Sequence, residues 1–335
     1  MLSFFKSNNP AVIVFYIFYL IAFRVCCVLF PVDATFVFTH KEPLAKFVFS
    51  LLNHFPQAYF TISLVLSAIL CFVQALLINN IVNENKILAK KNYLAGSMFI
   101  IFFSFFKESL VLSPVTLSLT FLILCTQKIF ELIKREKAFG DVFDVGLLIA
   151  VAGLFYFPSL LFIIFAYVGL ASVRPFTYKE WIVTLLGFLA PFILVLTWYV
   201  WNDQTVMMFP DIANVVGKGW LTGTALSHID WLILGELVLL TLLSLALLPS
   251  ALYSSLIQVR KYTTALVFLA MLIVASYFMQ QTVGQGHWML LALPMGIISA
   301  MVLMQIKHKV LSEVTYLILI LLVLVGQYLP LLNLI

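Results

Sequence analysis

Long apolar runs, separated by short polar intervals, dominate the chain from Ala11 onwards. An apolar run of about 20 residues is long enough to cross a bilayer as a helix. Charged or turn-forming residues mark where such runs end. The pattern predicts an all-α, polytopic transmembrane helix bundle of about eleven segments. These are 11–30, 58–80, 92–106, 114–132, 143–156, 158–173, 180–201, 231–251, 262–279, 287–305 and 313–333.

The third, fifth and sixth segments are too short to cross about 30 Å of hydrocarbon as straight helices. Residues 145–173 form an uncharged run that exceeds one span, and Pro158 interrupts it near the middle. Such a run fits either a kinked helix or a tight hairpin. The hairpin is favoured because it places Asp141 and Lys179, which flank the run, on the same side of the membrane.

Composition supports a membrane protein without a soluble domain. Hydrophobic residues make up 64% of the chain and charged residues only 10%, so polar groups cannot cover a water-exposed surface. Residues 1–335 are therefore predicted to form a single integral-membrane domain. The net charge of +5 comes without a basic cluster that could follow a phosphate backbone, so no nucleic-acid partner is expected. The cysteines lie in apolar runs without ligand spacing, and no metal site is predicted.

The distribution of basic residues predicts the orientation. With the N-terminus in the cytoplasm, fourteen of the 19 Lys and Arg residues fall in cytoplasmic segments and four in outer segments, while Arg24 lies within a helix. This asymmetry follows the positive-inside rule and places the C-terminus outside. Asn9 and Pro10 are typical of a helix N-cap and first turn. The first apolar run is longer than the core of an export signal, so it is expected to remain as a transmembrane helix.

The first outer loop contains a segment with apolar residues at helical spacing. Between 43 and 52 these residues occupy one side, and Lys46 and Ser50 lie opposite. This pattern predicts a helix that lies in the membrane interface.

Candidate catalytic residues gather on the predicted outer side. They are Asp33, His40 and His54, with Lys107 and His287 as candidate substrate-binding residues on the same side. A carboxylate at the membrane surface can act as a general base or hold a divalent cation beside a phosphate head group. Asp33 can equally be a solvated residue at a helix end.

Arg24 and Glu236 are the only charges well inside predicted apolar helices. Each is expected about 8 to 9 Å below the outer boundary at 1.5 Å per residue. An isolated charge in the bilayer interior costs about 2.5 to 3.5 kcal/mol, so the two side chains are predicted to share a polar cavity, directly or through an anionic head group. The alternative is that Arg24 extends its side chain to the outer head groups.

The layout resembles the C superfamily of integral-membrane glycosyltransferases. The shared features are an inside N-terminus, a first helix that ends at an acidic residue (Asp33), an interfacial helix in a long first outer loop (42–54) and short paired helices after it. The acidic pair often found in that superfamily is missing. The resemblance implies transfer from a polyprenyl-phosphate-linked sugar at the outer face, and only this reading includes a divalent cation; otherwise no cofactor is expected.

A second resemblance rests on short stretches at 91–94, 143–146, 152–158, 173–176 and 179–181. They are similar to an uncharacterised family of polytopic inner-membrane proteins from Bacteroidota, which implies a Gram-negative inner membrane but supplies no activity. Arg174 and Glu180 belong to these stretches. They can form an ion pair at the inner surface or a binding site for a cytoplasmic partner.

Three functions are consistent with the sequence. The first is a noncatalytic subunit of a cell-envelope assembly for export, motility or surface display, with the bilayer and other envelope proteins as partners. The second is the transferase described above, and the third is a transporter of a lipid or small solute. A transporter is expected to have more polar groups near the bilayer midplane than this sequence provides. An enclosed polar cavity at the outer face favours an enzyme, and a broad exposed apolar face favours a scaffold.

Overall fold

The structure, a computed structural model, describes residues 2–7, 9–29, 42–55, 58–135, 138–173, 175–203, 256–277, 285–306 and 308–328, with isolated residues between 235 and 255. Every regular element within these residues is helical, which confirms the all-α prediction. The α-helices are α1 Leu2–Phe5, α2 Ile13–Leu29, α3 Pro43–Leu52, α4 Tyr59–Glu84, α5 Leu94–Phe103, α6 Pro114–Glu131, α7 Phe139–Phe155, α8 Ile163–Val173, α9 Tyr178–Trp201, α10 Ile257–Tyr277, α11 Ala292–Gln305 and α12 Lys309–Tyr328. Short 3-10 helices cover Pro10–Val12, Lys107–Ser109, Leu132–Lys134, Phe157–Phe162 and Gln285–Leu291.

Among the described helices, five are long and apolar enough to cross a membrane. They are α4, α9, α10, the continuous helix Gly286–Gln305 and α12. This set indicates a multi-pass membrane protein. The number of eleven segments and the sides on which the termini lie remain predictions, since most of 231–251 lies outside the described residues.

Helix α5 forms the centre of the bundle. It has only ten residues, and all ten are buried. It packs among α2, α4, α11 and α12. A Cβ atom on Gly296 of α11 would lie 3.1 Å from the Cα of Phe99, so the backbones of α5 and α11 approach each other directly. The segment predicted at 92–106 is thus a short helix that its neighbours shield.

Residues 139–173 form a hairpin, as the charge placement favours. The Lys128 Nζ atom at the end of α6 lies 3.0 Å from Asp141 Oδ1 at the start of α7. Gly169 near the end of α8 contacts the neighbouring Ile129, so the chain returns to the level at which α7 began. Helix α7 begins at Phe139 instead of the predicted 143, because Lys128 also binds Asp144, 3.0 Å away, and makes acidic residues acceptable in its first turns.

The helix ends meet in two groups. One group holds Lys6, whose Nζ atom donates to the Leu303 carbonyl oxygen at 3.1 Å, together with the ion pairs of Lys128 and Arg135. We call it the basic end. The other group holds the ends of α2, α7, α10 and α12 and is called the opposite end. There Gln327 donates to the Ser104 carbonyl oxygen at 2.6 Å.

The amphipathic helix predicted in the first outer loop is present as α3. Its Ala45 and Phe49 side chains are buried in a small cluster with Leu112. Lys46 and Phe47 are exposed, so the outer surface of α3 is both polar and apolar. This mixture is what a helix in the membrane interface requires.

Helix α9 has an exposed apolar surface along its whole length. Its 24 residues correspond to about 36 Å, slightly more than the hydrocarbon thickness of about 30 Å. Tyr178 is exposed at its start, and Trp198 and Trp201 are exposed at its end. Aromatic residues at both ends of an apolar helix are typical of a lipid-facing transmembrane segment.

Candidate functional site

Several residues predicted to form the site lie outside the described part of the chain. These are Asp33, His40, Arg174 and Glu236, and only the backbone of Lys107 is described. His54 is described and exposed, with its Nδ1 atom 2.9 Å from the Ser50 carbonyl oxygen. A common outer cavity for Asp33, His40, His54 and Lys107 therefore stays a prediction.

Arg24 lies inside the bundle and is only 4% exposed. Its Nη2 atom is 3.4 Å from Ser67 Oγ and 3.3 Å from the Ser109 carbonyl oxygen. Ser67 Oγ also donates to that carbonyl oxygen at 2.6 Å. The guanidinium group thus joins α2 to α4 and to the turn after α5. Its predicted pairing with Glu236 stays a prediction.

Small polar residues on one face of α4 make room for this arrangement. Ser63, Ser67 and Cys71 follow at intervals of four, so they lie on the same side of the helix. Ser63 Oγ accepts a hydrogen bond from the Leu112 backbone N–H at 2.8 Å. These short side chains let the 104–112 segment approach α4 closely enough for its backbone groups to be satisfied.

His287 is the second buried polar centre and is 1% exposed. Its Nε2 atom lies 2.8 Å from the Ile273 carbonyl oxygen, and its Nδ1 atom lies 2.8 Å from the Tyr156 hydroxyl. A carbonyl oxygen can only accept, so Nε2 carries the proton. The enclosed position of the ring favours the neutral imidazole, in which Nδ1 accepts from the Tyr156 hydroxyl.

The His287 centre ties together the ends of several elements. Tyr156 lies at the break between α7 and the Phe157–Phe162 turn, where its backbone is extended. The ring of Tyr277, the last residue of α10, lies 5.7 Å from the His287 ring and 4.5 Å from the Trp288 ring. The histidine therefore fixes the hairpin tip of α7 against the end of α10.

The turn after α5 connects the two centres. The Ser109 carbonyl oxygen accepts from Arg24, and the neighbouring Glu108 Cβ would lie 3.5 Å from a Cβ atom on Gly286, the residue before His287. Ser276 Oγ lies 3.3 Å from His287 Nε2. We call the set Arg24, Ser67, Ser109, Tyr156, Ser276 and His287 the opposite-end polar cluster.

Sequence reasoning found Arg24 and His287 of this cluster but missed their partners. Tyr156 is marked only by its place directly before the Phe157-Pro158 interruption. Ser67 is marked by its spacing from Ser63 and Cys71. Neither feature indicates a partner 131 residues away along the chain, which is the separation between Tyr156 and His287.

An apolar groove runs between α2 and α4 beside Arg24. It encloses about 400 Å³ and is lined by Ile17, Leu20, Ile21, Arg24, Val25, Leu64, Val65, Ala68, Ile69 and Phe72. Only apolar atoms line its surface, so Arg24 contributes the methylene part of its side chain. The groove can hold a hydrocarbon chain.

Two further predictions can be placed in the structure. Within the described residues, no group of three or more His, Cys, Asp or Glu side chains is arranged to hold a metal ion. The divalent cation linked to the transferase reading stays a prediction. Glu180 is buried in the first turn of α9, but its proposed partner Arg174 lies outside the described residues, so the ion pair and the partner site also stay predictions.

The fold and the cluster define the class of protein: a polytopic helical membrane protein with a hydrogen-bonded polar cluster buried at one end. No family model, curated protein or solved structure matches the chain. The resemblances to the Bacteroidota family and to the glycosyltransferase superfamily therefore stay predictions.

Proposed function

We propose that the protein is a noncatalytic subunit of a bacterial cell-envelope assembly. It resides in the inner membrane, with the N-terminus in the cytoplasm and the C-terminus in the periplasm. One observation supports this proposal above the others: both ring nitrogens of His287 bond to neighbouring elements, to the Tyr156 hydroxyl and the Ile273 carbonyl oxygen. The histidine is thereby engaged in joining helix ends.

The burial of the polar cluster agrees with a structural role. A catalytic group has to reach a substrate atom, whereas Arg24 and His287 are almost completely enclosed. Arg24 bonds to the Ser109 carbonyl oxygen and to Ser67, so its guanidinium group joins neighbouring segments of the bundle. The exposed apolar faces of α9 and α12 offer contact area to lipid or to another membrane protein.

Photocrosslinking in cells tests the scaffold proposal. A photoreactive residue replaces Leu194 of α9 or Leu321 of α12, both exposed, and Phe99 of the buried α5 serves as the control position. We expect Leu194 or Leu321 to capture one defined envelope protein that also copurifies stoichiometrically in mild detergent, and Phe99 to capture none. Recovery of a lone, homogeneous chain with bound polyprenyl phosphate would contradict the proposal.

A transferase that acts on a polyprenyl-phosphate-linked sugar is the second candidate. The apolar groove between α2 and α4 favours it, because a long hydrocarbon chain fits such a surface. The test is Asp33→Asn with the protein level controlled and the cell-surface glycans analysed. Loss of a glycan at unchanged protein level supports the transferase, and unchanged glycans contradict it.

A further inference from the structure

A second cavity lies at the basic end, at the other end of the helices from the opposite-end polar cluster. It has a volume of about 220 Å³ and lies between the turn after α4, the start of α10 and the end of α11. Its lining residues are Lys86, Ile87, Leu88, Ala89, Ser255, Leu256, Val259, Met301, Met304 and Gln305. The exposed basic residue Lys86 thus lies at one wall, and the other lining residues are apolar apart from Ser255 and Gln305.

The turn that carries Lys86 is held in a fixed conformation. Lys86 has a φ of 51°, a left-handed conformation that is costly for a residue with a side chain. The Asn83 amide donates to the Asn92 carbonyl oxygen at 3.0 Å, and the Asn92 backbone N–H donates to Asn83 Oδ1 at 3.1 Å. This reciprocal pair closes the turn and keeps Lys86 at the wall of the cavity.

A second cation lies next to the cavity wall. Arg260 follows the lining residue Val259, and its Nη2 atom donates to the Tyr253 carbonyl oxygen at 3.0 Å. The guanidinium group is thus folded back towards Ser255 and Leu256, which form part of the wall. Arg260 is exposed, so it can also bind an anion at the mouth.

Lys6 and Glu84 also carry charges at this end. Lys6 bonds to the Leu303 carbonyl oxygen, next to the lining residue Met304. Burial lowers the pKa of Lys6, an effect that the nearby Glu313 partly offsets, so the Lys6 charge already has an acidic partner. Glu84 accepts from the Asn80 amide at 2.9 Å on the exposed side of α4.

The mouth of the cavity also exposes apolar surface. Tyr253 is 89% exposed and Ile257 is 75% exposed, with Leu256 exposed between them. A free phosphate ion would satisfy Lys86 and Arg260 but leave these side chains uncovered. An acidic protein segment would also bind the two cations and leave the apolar side chains uncovered, unless it carried apolar residues as well. Cationic residues beside an apolar strip fit a ligand in which a phosphate group is joined to hydrocarbon chains.

We propose that this cavity binds the head group of an anionic phospholipid. Lys86 and Arg260 bind the phosphate by charge-assisted hydrogen bonds, and the acyl chains lie along Leu256 and Ile257. Met301 and Met304 line the inner wall, where their flexible side chains adapt to the glycerol portion. With the basic end in the cytoplasm, as proposed above, the ligand comes from the leaflet in which anionic lipids attract basic residues.

The test uses the full-length protein in a neutral detergent and measures lipid binding by native mass spectrometry. The probes are phosphatidylglycerol, phosphatidylcholine and inorganic phosphate. We expect phosphatidylglycerol to bind more tightly than phosphatidylcholine, and Lys86→Gln or Arg260→Gln to weaken it about fivefold each, the effect of losing one cation near an anionic lipid. The control Lys179→Gln, which removes an exposed charge from α9, should leave binding unchanged.

The variant Lys86→Gly distinguishes an effect on folding from an effect on lipid binding. Glycine accepts the φ of 51° without strain, so this variant should unfold at the same or a higher temperature while phosphatidylglycerol binding still falls. Equal phosphatidylglycerol affinity in Lys86→Gly, Lys86→Gln and the natural chain would overturn the proposal. Binding of inorganic phosphate that matches phosphatidylglycerol would overturn the assignment to a lipid.

Discussion

Gly146 of α7 packs so closely against Thr184 of α9 that a Cβ atom at Gly146 would overlap the Thr184 carbonyl oxygen. Gly187 of α9 stands in the same relation to the Phe143 carbonyl oxygen. The two helices therefore meet backbone to backbone, as small residues allow in membrane bundles. Helix α9, whose other sides are largely exposed, depends on this contact for its position.

Gly146→Ala should destabilise the protein. The added methyl group forces α7 and α9 apart, and overpacking of this kind costs about 1 to 3 kcal/mol. The control is Gly140→Ala in the first turn of α7, where a Cβ atom meets nothing within 4 Å. Thermal unfolding in detergent should show a lower midpoint for Gly146→Ala and an unchanged or higher one for Gly140→Ala. Equal midpoints would refute the close contact.

Arg24→Leu should lower the free energy of unfolding by about 1 to 3 kcal/mol, because the charge-assisted hydrogen bond to the Ser109 carbonyl oxygen is lost and only the bond from Ser67 remains. Arg24→Lys keeps the charge but not the planar donor geometry, so its effect should be intermediate. Lys46→Gln, which removes an exposed charge from α3, serves as the control and should change stability by less than about 0.5 kcal/mol. Chemical denaturation in detergent measures all three. If Arg24→Leu left the free energy of unfolding unchanged, the guanidinium group would face the lipid head groups instead of the bundle interior.

Tyr156→Phe and His287→Phe should be coupled. Either change alone leaves a buried partner unsatisfied, whereas the double variant removes both polar groups. The coupling free energy of a double-mutant cycle should therefore be about 0.5 to 3 kcal/mol. Tyr178→Phe, at an exposed tyrosine, is the matched control and should be neutral. Additive effects in the cycle would show that the Tyr156 hydroxyl and His287 do not interact.

Cysteine labelling tests the proposed orientation. Lys218→Cys should react with a membrane-impermeant maleimide in intact cells, because residue 218 belongs to a predicted outer segment. Lys90→Cys and Arg135→Cys should react only after permeabilisation. The reverse pattern, with residue 90 labelled first, would invert the topology and place the basic end outside.

Local sequence features predicted several helix ends correctly. Asn9 caps the Pro10–Val12 turn that leads into α2, as expected, since its side chain accepts from the Ala11 backbone N–H at 3.0 Å. The Pro158 interruption and the flanking charges predicted the hairpin of α7 and α8. These features depend on neighbours in sequence or on the sign of nearby charges, which the sequence displays directly.

The internal arrangement was less accessible to sequence reasoning. Lipid-facing and buried positions are both apolar, so the pattern at 94–103 did not reveal that α5 is enclosed on every side. Helix α12 begins at Lys309 instead of the predicted 313, because the apolar pattern assigns the charged Lys309 to the loop, although a charge is acceptable in the first turn of a helix at the membrane surface. The partners of Arg24 and His287 depend on tertiary packing, which no local spacing encodes.

The complete burial of α5 has a consequence for how the protein is made. A helix of ten residues spans about 15 Å, so a translocation machine that recognises full-length spans cannot insert it by itself. Its closest neighbour α11 is synthesised nearly two hundred residues later. In a nascent chain that has been synthesised only as far as α9, helix α5 therefore still lacks its contact with α11. Completion of this membrane domain has to be a late, post-insertion step, and truncation before α11 should yield a chain that quality-control proteases remove.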